Sequence, residues 1–248
     1  MNECREKREL TLIDHIRELR SRIIWSLGTV IGTSVLAYWF YENILNVLYR
    51  PFEILENGQG TALYATSLFE GFAVRIKISI LAGVILALPV ILYHILKFVI
   101  PALNSPERRF LGWGISASAA LVVGGAVYSY YWIVPLCVKF MTDSEFIPKQ
   151  VGVLLSFEQN IFYILQFILV MTLVFQLPII LLALMAMGIL SRKTLLRSGR
   201  YLVVVFFIGA ALITPPDVVS QVAVAVPLVG LFYLSIWVAK VFGWGRSE

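Results

Sequence analysis

The stretch "ILYHILKFVIPALNSPERRFL", residues 91–111, closes one long apolar run and opens the next. Between the two runs lie Lys97, Arg108 and Arg109, with Glu107 directly before the arginine pair. Ser105 reads as a helix N-cap, Pro106 as the first helical residue, and Glu107 as a first-turn acid favoured by the helix dipole. A capped apolar helix that follows a cationic turn after another apolar helix is the pattern of a chain threading a bilayer.

Composition extends that reading to the whole chain. Its 248 residues are 59% hydrophobic and only 14% charged, where a soluble domain carries about a quarter charged residues. The apolar runs are continuous over bilayer-spanning lengths, which predicts transmembrane helices. Only helices and closed barrels satisfy the backbone in lipid, and a barrel would show alternation instead. The expected fold is all-α, one membrane domain over residues 1–248. Six spans are predicted, near residues 23–41, 71–96, 110–134, 161–190, 201–213 and 218–241.

The cations orient the chain. Arg5, Lys7, Arg8, Arg17, Arg20, Arg22, Lys97, Arg108, Arg109, Arg192, Lys193, Arg197, Arg200, Lys240 and Arg246 fall on one side, fifteen in all. Arg50, Arg75, Lys77, Lys139 and Lys149 fall on the other. The positive-inside rule then puts both termini in the cytoplasm, with residues 1–22 as an amphipathic cytoplasmic segment and 242–248 as a short tail. The first residues are charged throughout, without a short apolar core and cleavage site, so the first span is expected to act as its own insertion signal. Cys4 and Cys137 fall on opposite sides and lack metal spacing, so neither a disulfide nor a metal site is expected.

Local signals add detail. "SLFE" (67–70) and "SFEQ" (156–159) read as capping boxes at the outer ends of spans two and four. The outer loops, about 42–68 and 138–157, are long enough to cap the bundle. The fifth span is short: thirteen apolar residues rise about 20 Å, against roughly 30 Å of hydrocarbon. Span six, joined to it by the tight turn "TPPD" (214–217) and interrupted by Pro227, completes a short pair. "YWFY" (38–41) and "YSYYW" (128–132) read as an aromatic belt at the outer interface. The glycines of "VVGGAVYS" permit close helix approach.

Candidate functional residues are few. "LIDHIRELRSRI" (12–23) has Leu12, Ile13, Ile16, Leu19 and Ile23 at helical spacing, with Asp14, Arg17, Glu18 and Arg22 opposite. An interfacial helix held by arginines explains it, with Glu18 and Arg22 paired at i, i+4. Glu18 and Glu107 are also acids in a strongly positive surface, and a carboxylate accepts two parallel hydrogen bonds from a guanidinium. Both readings stay open here. Gln176, near the middle of span four and just before Pro178, either satisfies polar groups within the bundle or contacts a partner helix. Asp217 reads most simply as the N-cap of span six. His15 and His94 are lone histidines with structural roles expected. No H-E-x-x-H, G-x-S-x-G, P-loop or C-x-x-C occurs, so neither enzymatic activity nor a cofactor is expected.

Taken together, "HIRELRSRI" (15–23), "ALPVILYHILKFVIPALNSPERR" (87–109), "FQLP" (175–178) and "LITPPDVVSQ" (212–221) resemble the TatC family in order and spacing. TatC is the multi-spanning receptor and core subunit of the twin-arginine protein translocase, and the resemblance covers roughly residues 12–240. It implies transport of folded proteins across a bacterial-type cytoplasmic membrane, driven by the proton-motive force. The implied partners are paired-arginine signal peptides, TatB- and TatA-type single-span subunits, further copies of the chain and the lipid bilayer, with no nucleic acid.

By position, the resemblance assigns Glu18, Arg20, Glu107, Phe98 and Leu103 to signal-peptide binding. It marks Pro51 and Asp217 as important on the outer side, and the short fifth span as a docking region for the TatB-type partner. Where relatives often carry a glutamate in span four, this chain has Gln176, which leaves hydrogen bonding but no charge. A secondary transporter for a small solute is the alternative. Such folds show paired repeats and mid-membrane ionisable groups, and this sequence offers neither.

Overall fold

A computed structural model describes residues 12–59, 63–99, 105–141, 155–214 and 218–245. For residues 12–14, 53–59, 99, 105–113, 141 and 213 it describes the backbone alone.

The described chain is a helical bundle. Helix α1 (Leu12–Trp39) breaks at Phe40 into α2 (Tyr41–Gln59), and the two are bent by 75°. Then come strand β1 (Leu63–Tyr64) and α3 (Glu70–Val99). Helix α4 (Ser105–Tyr128) continues through a π-helical turn (Ser129–Ile133) into α5 (Val134–Met141). Strand β2 (Leu155–Ser156) leads into α6 (Phe157–Val174), α7 (Leu177–Ala186), α8 (Arg192–Ile213) and α9 (Val218–Val241).

Five segments among the described residues are long and apolar enough to cross a bilayer: Glu70–Phe98, Gly114–Phe140, Phe157–Ala186, Arg192–Leu212 and Val218–Val241. The bent α1–α2 pair makes the sixth. The six-span, all-helical architecture expected from the apolar runs is therefore present. The one non-helical pairing described is β1 with β2, parallel, Leu63 opposite Leu155 and Tyr64 opposite Ser156.

Several boundaries differ from the sequence reading. The loop expected over 42–68 is largely α2, whose Ile44, Leu45, Leu48 and Phe52 share one face and join the core. Helical spacing there was masked by Pro51 and by the polar residues of the opposite face. Span three runs past 134, through the π turn, to Met141. Span four is broken at Phe175 and Gln176, as Pro178 cannot donate to the carbonyl four residues back.

Spans five and six are not short as helices. At 22 and 24 residues, α8 and α9 rise about 33 and 36 Å. What is short is the apolar part of α8, because its first nine residues include Arg192, Lys193, Arg197 and Arg200.

Helix ends follow ordinary chemistry. Ser191 Oγ accepts from the Thr194 N–H at 3.1 Å and caps α8. Gly188 takes φ +73° after α7, a left-handed conformation that glycine reaches without a Cβ clash. After α9 the chain turns back, and the Arg192 N–H donates to the Gly245 carbonyl at 3.0 Å.

Two close approaches set the packing. The Thr33 hydroxyl donates to the Gly83 carbonyl at 2.8 Å, and a Cβ on Gly83 would lie 2.2 Å from Ser34 Oγ. A Cβ on Gly125 would lie 2.9 Å from the Met171 carbonyl oxygen, which explains why α4 can approach α6 so closely. The main core gathers Leu48, Val74, Ile78, Ile133, Ile161 and Met171 toward the α2 end. A smaller cluster of Met185, Leu195, Phe232 and Ile236 binds α7, α8 and α9.

Candidate functional site

The near end of the bundle, where α1 begins, carries most of the residues singled out in the sequence. The His15 ring stacks on Phe98 with centroids 4.4 Å apart and planes 19° from parallel. That contact ties the start of α1 to the end of α3. Three residues on from His15, Glu18 accepts from Arg22 Nε at 3.0 Å, and a second Arg22 nitrogen reaches the same oxygen, Oε1. Glu18 Oε2 has no hydrogen-bond partner among the described residues. Arg20 is exposed.

Glu107 is the third residue of α4, which begins at Ser105, one residue earlier than the start at Pro106 that the cap reading expects. Its side chain, like the whole of Leu103, lies outside what is described, and so does Asp217. Among residues with described side chains, Glu18 is the carboxylate of this end, while Arg17, Arg20, Lys97, Lys193, Arg197 and Arg200 supply cations. An acid with one idle oxygen, set among cations, can take a guanidinium or release one.

Gln176 stands at the α6–α7 break and is buried. Ser118 Oγ donates to its Oε1 at 2.6 Å. Its Nε2 donates to the Ser118 and Thr172 carbonyls at 3.3 and 3.4 Å. The second of these is the carbonyl that the Gln176 N–H forgoes by bonding Leu173 instead. The amide therefore serves the bundle from within, joining α4 to the break in span four.

Pro51 is buried inside α2, and it frees the Val47 carbonyl four residues back. Tyr130 Oη donates to that carbonyl at 2.7 Å. Pro227 in α9 likewise frees the Ala223 carbonyl, and Tyr128 Oη donates to it at 3.1 Å. Of the "YSYYW" residues expected as an aromatic belt, Tyr131 and Trp132 face outward, and these two tyrosines turn inward.

At the far end, Glu70 opens α3 and is buried. Its Oε2 accepts from Thr66 Oγ1 at 2.9 Å, from the Ser67 N–H at 3.1 Å and from the Thr66 N–H. The Glu70–Ser67 half of the expected "SLFE" capping box is thus formed. The second box is not: Ser156 makes no side-chain cap to α6. The orphan Glu158 N–H donates across to Glu70 Oε1 at 2.8 Å instead. One carboxylate holds two helix starts.

Local sequence marks Glu70 as half of a capping box but does not show that it also holds the start of α6, that His15 stacks on Phe98, or that Tyr128 and Tyr130 bond carbonyls of other helices. The proline-to-tyrosine pairings join residues 79 and 99 positions apart, so no local pattern could reveal them. Cys137 is a buried thiol that shares a hydrogen bond with Ser220 Oγ at 2.9 Å. Among the described residues no three His, Cys, Asp or Glu side chains converge as a metal site would require.

A bundle of six apolar helical passes, with a cationic near end and a helix-and-loop cap at the far end, defines a multi-pass membrane protein. The chain belongs to the TatC family: the profile of the Sec-independent protein translocase protein (TatC) matches residues 14–227. The TatC of Desulforapulum autotrophicum is 35% identical over 239 residues, covering 96% of this chain and 87% of that relative. The TatC of Carboxydothermus hydrogenoformans is 33% identical over 236 residues, 95% of each chain. The crystal structure of the twin-arginine translocase receptor TatC in DDM is similar with a TM-score of 0.80 at 32% identity, over 94% of this chain and all of that one. The chain is thus a component of the Sec-independent, or Tat, protein translocase.

Proposed function

We propose that this chain is the receptor core of its translocase, one six-span domain that binds paired-arginine signal peptides at the near end of the bundle. Glu18 and Glu107 hold the two guanidinium groups, Arg20 lies beside them, and Phe98 and Leu103 flank them. The observation that carries this reading is the stack of His15 on Phe98 at 4.4 Å. It ties Glu18 to the same end of the bundle as the first turn of α4, which contains Glu107, and Glu18 keeps one oxygen without a partner among the described residues. Carboxylates suit arginine better than lysine, because only guanidinium presents a bidentate fork.

In this reading the near end faces the cytoplasm of a bacterial-type cell with both termini, a placement supported by the excess of cations on that side. The receptor recruits TatB- and TatA-type single-span subunits, the apolar part of α8 being the docking stretch, and works alongside further copies of itself. Folded cargo then crosses at the expense of the proton-motive force. Gln176 steadies the break in span four, Pro51 shapes the cap, and Asp217 starts the last helix.

The test is photocrosslinking of a twin-arginine peptide to membranes carrying Glu18→Ala or Glu107→Ala. Each change should reduce crosslinking strongly, and replacing the peptide's arginines by lysine should do the same. Unchanged crosslinking in both variants would overturn the assignment.

A further inference from the structure

Toward the far end, the seam between α1 and α3 opens into a groove of about 360 Å³ lined by Val30, Ile31, Val35, Tyr38, Ile76 and Ile80. Its rim is open to the surroundings, with Ile31, Val35 and Ile80 about half exposed. Ser79, also in the lining, spends its hydroxyl on the Arg75 carbonyl of its own helix at 2.7 Å. The groove is apolar throughout.

At the Tyr38 end stands a cation. The Arg75 guanidinium carbon lies 4.3 Å from the centre of the Tyr38 ring and 5.1 Å from that of Tyr41. Arg75 Nε is buried without a hydrogen-bond partner. Arg75 has no ion pair among the described residues. It is the sixth residue of the span Glu70–Phe98, about 8 Å along the helix from its start. Charged groups at membrane depth find partners, and two aromatic faces offset the charge only in part.

We propose that Arg75 and this groove form a binding site for an anionic phospholipid, with the phosphate on the guanidinium and one acyl chain along the groove. Charge complementarity selects the headgroup, since the guanidinium's N–H donors match phosphate oxygens. The apolar lining suits the tail, since a groove of about 360 Å³ that is open along its rim can receive an acyl chain lengthwise.

The experiment is native mass spectrometry of the full chain in detergent, offered equal amounts of phosphatidylglycerol and phosphatidylcholine. The first lipid retained should be phosphatidylglycerol by roughly fivefold, the preference one cation near the membrane surface confers. Arg75→Gln should bring the ratio to about one, and Arg75→Lys should keep a preference. Val35→Trp, which fills the groove beside an intact Arg75, should lower retention of both lipids. An undiminished preference in folded Arg75→Gln overturns the proposal. If that variant does not fold, full retention in Val35→Trp overturns it. Two further results would do so: inorganic phosphate stabilising the protein as well as the lipid does, or a photoreactive residue at Val35 labelling a protein helix instead of phospholipid in membranes.

Discussion

The hydroxyl of Tyr128 reaches the carbonyl of Ala223 at 3.1 Å. That carbonyl is the one Pro227 leaves without its helical donor. Tyr130 does the same for Val47 in α2, where Pro51 is the cause. Two tyrosines two residues apart thus mend two proline breaks in two different helices, one on each side of the π-helical turn's first residue. A hydroxyl or amide from a neighbouring helix is one of the few ways to satisfy a freed backbone group in lipid.

Tyr128→Phe should therefore be costly only while Pro227 is present. In the native background the lost bond costs about 1 kcal/mol, a typical value for one hydrogen bond. In Pro227→Ala the new N–H can take the Ala223 carbonyl, and Tyr128→Phe should become nearly silent. Thermal unfolding in detergent for the four proteins of this cycle decides the matter. Equal costs in both backgrounds would mean that the hydroxyl is not needed for the carbonyl.

Gly83 makes a sharper prediction about the α1–α3 seam. Its missing Cβ would meet Ser34 Oγ at 2.2 Å and the Ser34 backbone at 2.6 Å. Gly83→Ala should destabilise by about 1–3 kcal/mol, the range for overpacking. Ser34→Gly should rescue only part of it, because the backbone contact stays. Gly32 on α1 has open space where its Cβ would be. Gly32→Ala should instead be neutral or stabilising by up to about 1 kcal/mol through helix propensity. Unfolding midpoints of the two variants should move in opposite directions or differ clearly in size.

The far-end cap hangs on Glu70 more than on Glu158, although both are acids in capping motifs. Glu70 receives bonds from Thr66, Ser67 and Glu158, whereas Glu158 gives its backbone to that network and pairs its side chain with Lys77 at a partly exposed site. Glu158→Ala should cost roughly 0.2–1 kcal/mol, as exposed ion pairs do. Glu70→Gln puts an amide among N–H donors and should lower the midpoint further. It should also speed proteolytic cutting of the segments that flank β1 and β2. Equal susceptibility of the two variants to protease would remove Glu70 from that role.

Much of the architecture was legible because lipid leaves the backbone few choices. Long uncharged runs had to be helices, and Ser67 with Glu70 had to be a helix start. Gln176 was legible as a buried amide for the same reason, although which helix it bonds was not. The cap was less so. Pro51 disguised α2 as a loop, and the 75° bend at Phe40 falls in an apolar stretch with no breaker residue. Ser156 showed every local sign of a cap, yet the group that satisfies α6 comes from Glu70, 86 residues earlier. The acids proposed for the near end were legible, since charge against an apolar background stands out. His15 was not, because a lone histidine gives no sign of the ring it will stack upon.

The pairing of Glu18 with Arg22 bears directly on how a signal peptide would be held. Arg22 already occupies Oε1, with its Nε at 3.0 Å. An incoming guanidinium must use Oε2 or displace Arg22, so Arg22 acts as an internal competitor. Helical i, i+4 pairs at partly exposed sites are worth about 0.3–0.5 kcal/mol, which is roughly a twofold change in affinity. Arg22→Gln should therefore tighten binding of a paired-arginine peptide about twofold. Glu18→Gln should weaken it by tenfold or so, the scale for losing a hydrogen bond to a charged group. In the double variant the carboxylate is gone and the first effect should vanish, leaving the affinity of Glu18→Gln alone. Fluorescence anisotropy of a labelled peptide, run beside its lysine-substituted control, measures all three. If Arg22→Gln weakens binding as much as Glu18→Gln does, Arg22 orients the site instead of competing for it, and the competition argument fails.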